Sequence, residues 1–193
     1  MRTLFIIPLV LMSLVSFPSW GLTLGDLVQR DGLYYKKFTD VPFTGKIDDG
    51  LERGNYKSGR REGSWTIYRD NGQLKQKGEY KNGKKEGTWV SYYNNGQLKS
   101  NYEYKNNKLE GTSVNYYDNG QLHMKGDFKN SKTEGPWVFY HENGQLFKKG
   151  NFKNDKREGP WVFFKRDGTK RISEKGYGDE GSGLYRDDKK VSD

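Results

Sequence analysis

Residues 63–86 read GSWTIYRDNGQLKQKGEYKNGKKE, and this 24-residue unit recurs along the chain. Its first glycine returns at the same interval, at Gly63, Gly87, Gly111, Gly135 and Gly159. A fixed period of this length is the signature of a repeat array, in which each unit contacts mainly its neighbours. The stretch therefore predicts an extended structure of five full copies, preceded by a partial copy.

Each unit contains two turn signals with strand-like runs between them. The first signal is Asp70-Asn71-Gly72 and the second is Lys81-Asn82-Gly83. Asn-Gly pairs supply the positive φ angles that a tight hairpin requires. A single hairpin cannot bury its own apolar face, but stacked hairpins can. We therefore predict an all-β fold, an elongated array of stacked β-hairpins that forms one twisted antiparallel sheet.

Alternation along the first run suggests which side of the sheet is the core. Thr66 and Tyr68 point to one face, and Trp65 and Ile67 point to the other. Later copies place valine at the Thr66 position and keep an aromatic residue at the Tyr68 position. The sequence therefore predicts a continuous core on the valine and tyrosine side.

In the second run, a small residue recurs next to aromatic positions. Gly78, Gly126 and Gly150 leave space in which a neighbouring aromatic ring can lie against the backbone. Tyr102 replaces this glycine in the second copy, so that junction should pack differently. Ser113 also leaves a gap in the series of tryptophans.

The two ends of the chain differ from the array. Residues 1–21 combine Arg2, an apolar stretch from residue 4 to 15 and a Ser19-Trp20-Gly21 cleavage signal, which is typical of a secretory signal peptide. An uncleaved anchor is the alternative, but spanning a bilayer needs about 20 apolar residues. We expect an exported protein, periplasmic or secreted, with a cap at 22–44, the array at 45–185 and a charged tail at 186–193.

Charge points to an anionic partner or surface. The chain has a net charge of +9, and removal of Arg2 with the signal peptide leaves +8. Basic residues gather around the second turn, where stacking would align them along one edge. The candidate residues for binding an anionic surface are Lys84, Lys85, Lys108, Lys132, Lys156 and Arg157. A solvated rim that discourages aggregation is the alternative.

Glutamates recur beside these lysines at the interval of the repeat. They are Glu62, Glu86, Glu110, Glu134 and Glu158. Their regular spacing predicts cross-strand ion pairs with the lysines.

The tryptophan series allows two interpretations. The rings can form a second apolar seam, each packed over a neighbouring glycine, or an exposed stripe for a partner. The stripe is best developed where apolar residues accumulate and Phe147 replaces the usual lysine. The candidate partner-binding residues are Trp137, Phe139, Phe147, Trp161 and Phe163.

Catalytic and metal chemistry has little support in the sequence. The chain has no cysteine, which removes disulfides, thiol nucleophiles and lipidation at the signal site. His123 and His141 lack the further ligands that a metal site needs. We therefore expect no enzyme activity, no metal and no cofactor. Nucleic acid is disfavoured, because glutamates dilute the basic series and because of the predicted export.

The repeat resembles the MORN-repeat variant found in bacteria. The similarity covers about residues 32–186 and rests on the G-x-W-x-x-Y, N-G-Q-L-K and G-x-Y-K-N-G-K-x-E-G blocks. The lead-in residues 34–35 and 41–45 resemble one subgroup, the YwqK-like antitoxins of toxin–antitoxin systems. The resemblance implies a β-hairpin array acting in protein or lipid contacts, and the subgroup adds neutralisation of a toxin by binding.

Three functions follow as hypotheses. The first is a non-enzymatic interaction protein of the cell envelope, in one form an antitoxin or immunity partner. The second is peripheral binding to anionic membrane lipids through the basic residues that gather around the second turn of each copy. The third is a structural spacer of the envelope.

Overall fold

The computed structural model describes residues 22–171 and 181–192 and is almost entirely β-structure. Thirteen strands form one antiparallel sheet in which neighbours in the chain are neighbours in the sheet. A separate hairpin of two strands precedes it. The predicted array of stacked hairpins in a single antiparallel sheet is confirmed.

The strands and the short 3-10 helix have these bounds: 3-10 helix Leu24–Asp26, β1 Leu27–Arg30, β2 Leu33–Lys36, β3 Gly45–Asp48, β4 Glu52–Lys57, β5 Arg60–Tyr68, β6 Leu74–Lys81, β7 Lys84–Tyr92, β8 Leu98–Lys105, β9 Lys108–Tyr116, β10 Leu122–Lys129, β11 Lys132–Tyr140, β12 Leu146–Lys153, β13 Lys156–Phe163, β14 Gly183–Arg186 and β15 Lys189–Ser192.

The ends of the array differ from one another. At the N-terminal end, Leu22 bridges to Ile47 on the edge strand β3, and the ring of Tyr34 packs on Tyr56 with centroids 4.9 Å apart. At the C-terminal end, residues 186–192, predicted as a charged tail, contribute to β14 and β15 and continue the sheet. The predicted signal peptide, residues 1–21, lies outside the described residues.

The second turn of each unit is the tight one. Two residues connect β6 to β7, Asn82 at φ +52° and Gly83 at φ +78°, as a type I′ hairpin requires. The first turn is longer, with five residues between β5 and β6, and its positive φ falls on Gly72 alone. Asn71 contributes differently, because its side-chain oxygen accepts the N–H of Gln73 at 3.1 Å.

The core lies on the tryptophan side of the sheet, so the predicted valine and tyrosine core is wrong. Trp65, Trp89, Trp137 and Trp161 are only 1–2% exposed, whereas Val90 and its equivalents are partly exposed. Register explains the difference. Trp65 pairs with Gly78, and Thr66 pairs with the exposed Lys77. We call the two sides the tryptophan face and the lysine face.

Each tryptophan ring lies over a glycine of the preceding strand. A Cβ built on Gly78 would meet the Trp89 ring at 2.3 Å, and one on Gly126 would meet Trp137 at 2.1 Å. The indole N–H of Trp89 donates to the Glu79 carbonyl at 3.0 Å. Glycine is therefore required here by space, as the sequence predicted.

The glycine that marks the period is a bulge residue. Gly63 has φ +69°, and three residues of β5, from Gly63 to Trp65, lie opposite the single residue Gly54. The extra residues bend the strand and carry the tryptophan over the glycine. The same positive φ, from +64° to +89°, recurs at Gly87, Gly111, Gly135 and Gly159.

The junction between the second and third copies reverses the pattern. Tyr102 pairs directly with Ser113, so a large residue replaces glycine exactly where a small one replaces tryptophan. Ser113 is 2% exposed, and the Tyr102 ring contacts Phe128 at 6.5 Å between centroids. This junction packs differently, as predicted, and Tyr102 occupies the gap in the tryptophan series.

The regular glutamates accept backbone N–H groups of the tight turns and form no ion pairs with the lysines beside those turns. Glu62 accepts the N–H of Asn82 at 2.7 Å, and Glu86 accepts that of Asn106 at 2.9 Å. Glu110, Glu134 and Glu158 do the same for the turns that follow them. None of the five has an ion pair within the described ranges. The predicted pairing with lysines is therefore wrong, because turn N–H groups take these carboxylates.

We expect Gly78→Tyr to destabilise the protein by about 3 kcal/mol or more, because the added side chain collides with Trp89. Adding Trp89→Ser should restore most of the loss, since this pair reproduces the natural arrangement at Tyr102 and Ser113. Urea unfolding of the single and double variants measures both effects. A double variant as unstable as Gly78→Tyr alone would contradict the packing described.

We expect Glu86→Ala to cost about 1 kcal/mol by leaving the Asn106 N–H without its acceptor. Glu79→Ala, which removes the exposed carboxylate directly opposite Glu86, is the matched control and should change stability by less than about 0.5 kcal/mol. Thermal unfolding at low and high salt measures this. If high salt abolished the Glu86→Ala effect, ion pairing would be its cause.

Candidate binding surfaces

The tight turns of the sheet lie along one side, where the strands end, and a pair of basic residues flanks each of these turns. Lys81 is the cross-strand partner of Lys84, and the same pairing recurs through the array. The six pairs are Lys57 and Arg60, Lys81 and Lys84, Lys105 and Lys108, Lys129 and Lys132, Lys153 and Lys156, and Arg186 and Lys189. All twelve are exposed. We call this set the basic edge.

The structure divides the predicted anion-binding residues between two faces. Lys84, Lys108, Lys132 and Lys156 belong to the basic edge. Lys85 pairs with Tyr80, so it lies on the tryptophan face, and its Nζ is 4.0 Å from the centre of the Trp89 ring. Arg157 likewise lies over Tyr185, at 4.2 Å. The six residues therefore do not form one surface.

The predicted aromatic stripe is mostly interior. Trp137, Trp161 and Phe163 are 1–2% exposed, while Phe139 and Phe147 are half-buried. The Phe147 ring packs against Phe163 with centroids 6.3 Å apart. This geometry is that of the packed seam, and a partner could reach only Phe139 and Phe147 without displacing core rings.

The opposite edge is held by contacts between successive first turns. Tyr93 and Tyr117 each donate a hydroxyl to a carbonyl 23 residues further on, at 2.7 and 2.8 Å. His141 occupies the same position, and its Nε2 lies 3.2 Å from the Phe164 carbonyl oxygen. His123 packs on Tyr117, and burial lowers its pKa. Both histidines therefore have structural neighbours.

A cleft that the sequence analysis missed lies between the β1–β2 hairpin and the tight turns of the first units. Its volume is about 330 Å³, and its lining includes Arg60, Arg61 and Lys85 but no acidic residue. Burial, together with the nearby Arg61, lowers the pKa of Lys85. The available signal was Gly83, where the later copies have Asn107, Ser131 and Asp155.

Two further features are absent from residues 22–171 and 181–192. That part of the chain has no group of three or more histidine, aspartate or glutamate residues placed to hold a metal ion. It also contains no helix of the length and apolarity that crossing a bilayer requires.

Comparison with known proteins identifies the repeat. The family described as MORN repeat variant matches residues 61–82, 85–106, 109–130 and 133–154. The fifth copy, from Gly159, lies outside these matches. No curated protein matches the chain.

Among solved structures, a chain in the crystal structure of the GtfA/B complex bound to UDP and GlcNAc is 14% identical. The match covers 70% of this chain and 24% of that one, with a TM-score of 0.19, which supports no argument about fold or function. The family matches, together with the hairpin of β-strands that each copy forms, show that residues 61–154 of this protein are four repeats of the MORN repeat variant family.

Proposed function

We propose that this protein is a non-enzymatic binding protein of the cell envelope, and that it holds an acidic protein partner along the basic edge. MORN repeats are in general interaction repeats for proteins or lipids. The observation that carries the proposal is the run of six like-charged pairs at successive tight turns.

Like charges directly opposite each other destabilise a pair of strands. A single such pair needs no explanation, but here the arrangement recurs at every turn from β4–β5 to β14–β15. The glutamates nearest to these residues are occupied by turn N–H groups. Within the described ranges, Lys156 is the one member of the basic edge with an ion pair, to Asp187 at 3.3 Å. The positive charge of the other eleven is therefore available to an external anionic surface, which would relieve the repulsion.

Sheet twist favours a protein over a flat membrane as that surface. Neighbouring strands rotate by about 20° on average, so the edge of a thirteen-stranded sheet winds through well over half a turn. A flat bilayer would contact only part of such an edge, whereas an acidic protein can follow it. Neutralisation of a toxin by binding, as the YwqK-like resemblance implies, is one form of this function.

We also propose that the protein is exported and that it has no catalytic activity. The N-terminal signal pattern supports export. The recurring polar residues of the repeat have structural roles. The glutamates accept N–H groups of the tight turns, and His141 contacts a carbonyl oxygen of the following first turn. Half-buried Phe139 and Phe147 offer a second, apolar contact in the fourth copy.

Charge reversal of Lys84, Lys108, Lys132 and Lys156 to glutamate should weaken binding of the partner by about a hundredfold or more. The matched control reverses Lys75, Lys77, Lys125 and Lys149, which are exposed on the lysine face away from the edge and change net charge equally. The partner is first captured from envelope fractions with residues 22–193, and its affinity for each variant is then measured at several salt concentrations.

Equal losses in the two variants would show that only net charge matters and would contradict the proposal. Repeated capture without a stoichiometric protein, from cells grown in several conditions, would also count against it.

Membrane binding is the second candidate, because each lysine near an anionic bilayer contributes about 1 kcal/mol. It predicts binding to vesicles of phosphatidylcholine and phosphatidylserine but not to phosphatidylcholine alone. Loss of that binding in the basic-edge variant, with retention in the control, would favour the membrane. Binding unaffected by either variant would exclude the basic edge as the contact.

A further inference from the structure

Four of the stacked tight turns share a side-chain hydrogen bond that the Asn82-Gly83 turn lacks. In four places, the second turn residue offers a side-chain oxygen to a backbone N–H of the preceding hairpin. The bonds run from Lys85 to Asn107, from Leu109 to Ser131, from Thr133 to Asp155 and from Arg157 to Asp188. Two of the four acceptors are carboxylates.

At the first of these junctions the acceptor is missing. The turn is held by the same backbone bond as the others, from the Gly83 N–H to the Arg61 carbonyl at 2.8 Å. Gly83 has no side chain, however, so it cannot accept the N–H of Arg61. The position that an oxygen atom fills in the later turns is therefore left to an external group.

The last hairpin shows how this position looks when a carboxylate fills it. Arg157 stands in its copy where Arg61 stands in the first. The Asp188 carboxylate accepts the Arg157 backbone N–H at 2.7 Å and lies 3.3 Å from its Nε, while the guanidinium stacks on Tyr185. The Arg61 guanidinium likewise stacks on an aromatic ring, 4.5 Å from the centre of Trp65.

The basic cleft opens at this unfilled position. Gly83, Arg60, Arg61 and Lys85 all line it. Arg61 Nη2 pairs with Glu52, which lies outside the cleft lining, and Nη1 donates to the Tyr80 hydroxyl, both at 3.2 Å. The Nε–H of Arg61 has no hydrogen-bond partner in the described part of the chain. Cationic side chains together with a backbone N–H suit a carboxylate.

We propose that this cleft binds the carboxylate of an acidic side chain on a partner protein, in the position that Asp188 fills in the last hairpin. The inference refines the proposed function, since it names a specific contact for an acidic partner. Arg60 is the one residue of the basic edge that also lines the cleft.

Gly83→Asp tests the proposal by giving the turn its own carboxylate. Gly83 has φ +78°, and Asp155 and Asp188 adopt +70° and +67° in the equivalent turns, so aspartate suits this backbone. Its Cβ would meet only the side chain of Arg60, with Cβ at 3.6 Å and Cγ at 3.8 Å, both ordinary contacts. The probe is a short glycine–glutamate peptide, titrated by calorimetry and by amide NMR shifts of Arg61 and Gly83.

The parent protein should bind this peptide with shifts centred on Arg61, and Gly83→Asp should lower the affinity by about tenfold or more. Gly83→Ala is the matched control, since it adds the Cβ without an oxygen. Its backbone strain at φ +78° should lower stability, whereas the affinity for the peptide should stay within about threefold. A peptide with glutamine in place of glutamate should bind at least tenfold more weakly, because it lacks the charge-assisted bonds.

Several results would overturn the site. They are no saturable binding by the parent, equal binding of the glutamine peptide, equal loss in Gly83→Ala, or full affinity in Gly83→Asp. Thermal unfolding of each variant confirms that it is folded. Because the peptide assay does not involve Lys84, Lys108, Lys132 or Lys156, failure here leaves the basic-edge proposal standing, and failure there leaves this one standing.

Discussion

The packing of a tryptophan ring over a bare glycine backbone is the contact on which the array depends. The glycine belongs to one unit and the tryptophan to the next, as with Gly78 and Trp89, so each contact joins two copies. The bulge at Gly87 then delivers the ring to its place. Because no unit contains both halves of its own core contact, the unit alone has little to bury, and stability resides at the junctions.

Hydrogen bonds at both edges complete this arrangement. Along one edge, each glutamate reaches the next tight turn, and along the other, tyrosine hydroxyls and asparagine amides reach the next first turn. These bonds occupy the polar residues that recur in every copy. The candidates for recognition are the paired cations, which these hydrogen bonds do not use. They also include residues such as Gly83, which stands where the later copies have a side chain with an oxygen atom.

The period, the strands, the space above the glycines and the different packing at Tyr102 could all be predicted from the sequence. Each of them depends on local turn chemistry or on residue size. The sequence did not predict which face is buried. Val90 and Tyr92 vary less between copies than the residues that share a face with Trp89. The register across the five-residue first turn, however, pairs Trp65 with Gly78 and so places its ring on the same face as Tyr80. The role of Glu86 and the cleft at Gly83 depend on contacts about 20 residues apart, which alternation along one strand cannot reveal.

The exchange of large and small residues at Tyr102 and Ser113 limits how such a chain can be shortened, lengthened or recombined. Deleting exactly one period preserves the turns, yet it also decides which glycine meets which ring. A deletion of residues 79–102 would place Glu103 after Gly78 and so bring the glycine opposite Ser113, leaving a void where Tyr102 had filled it. A deletion or insertion of one period therefore preserves the packing only when the two residues of each junction pair stay together, and the copies on either side of the Tyr102–Ser113 junction are not interchangeable.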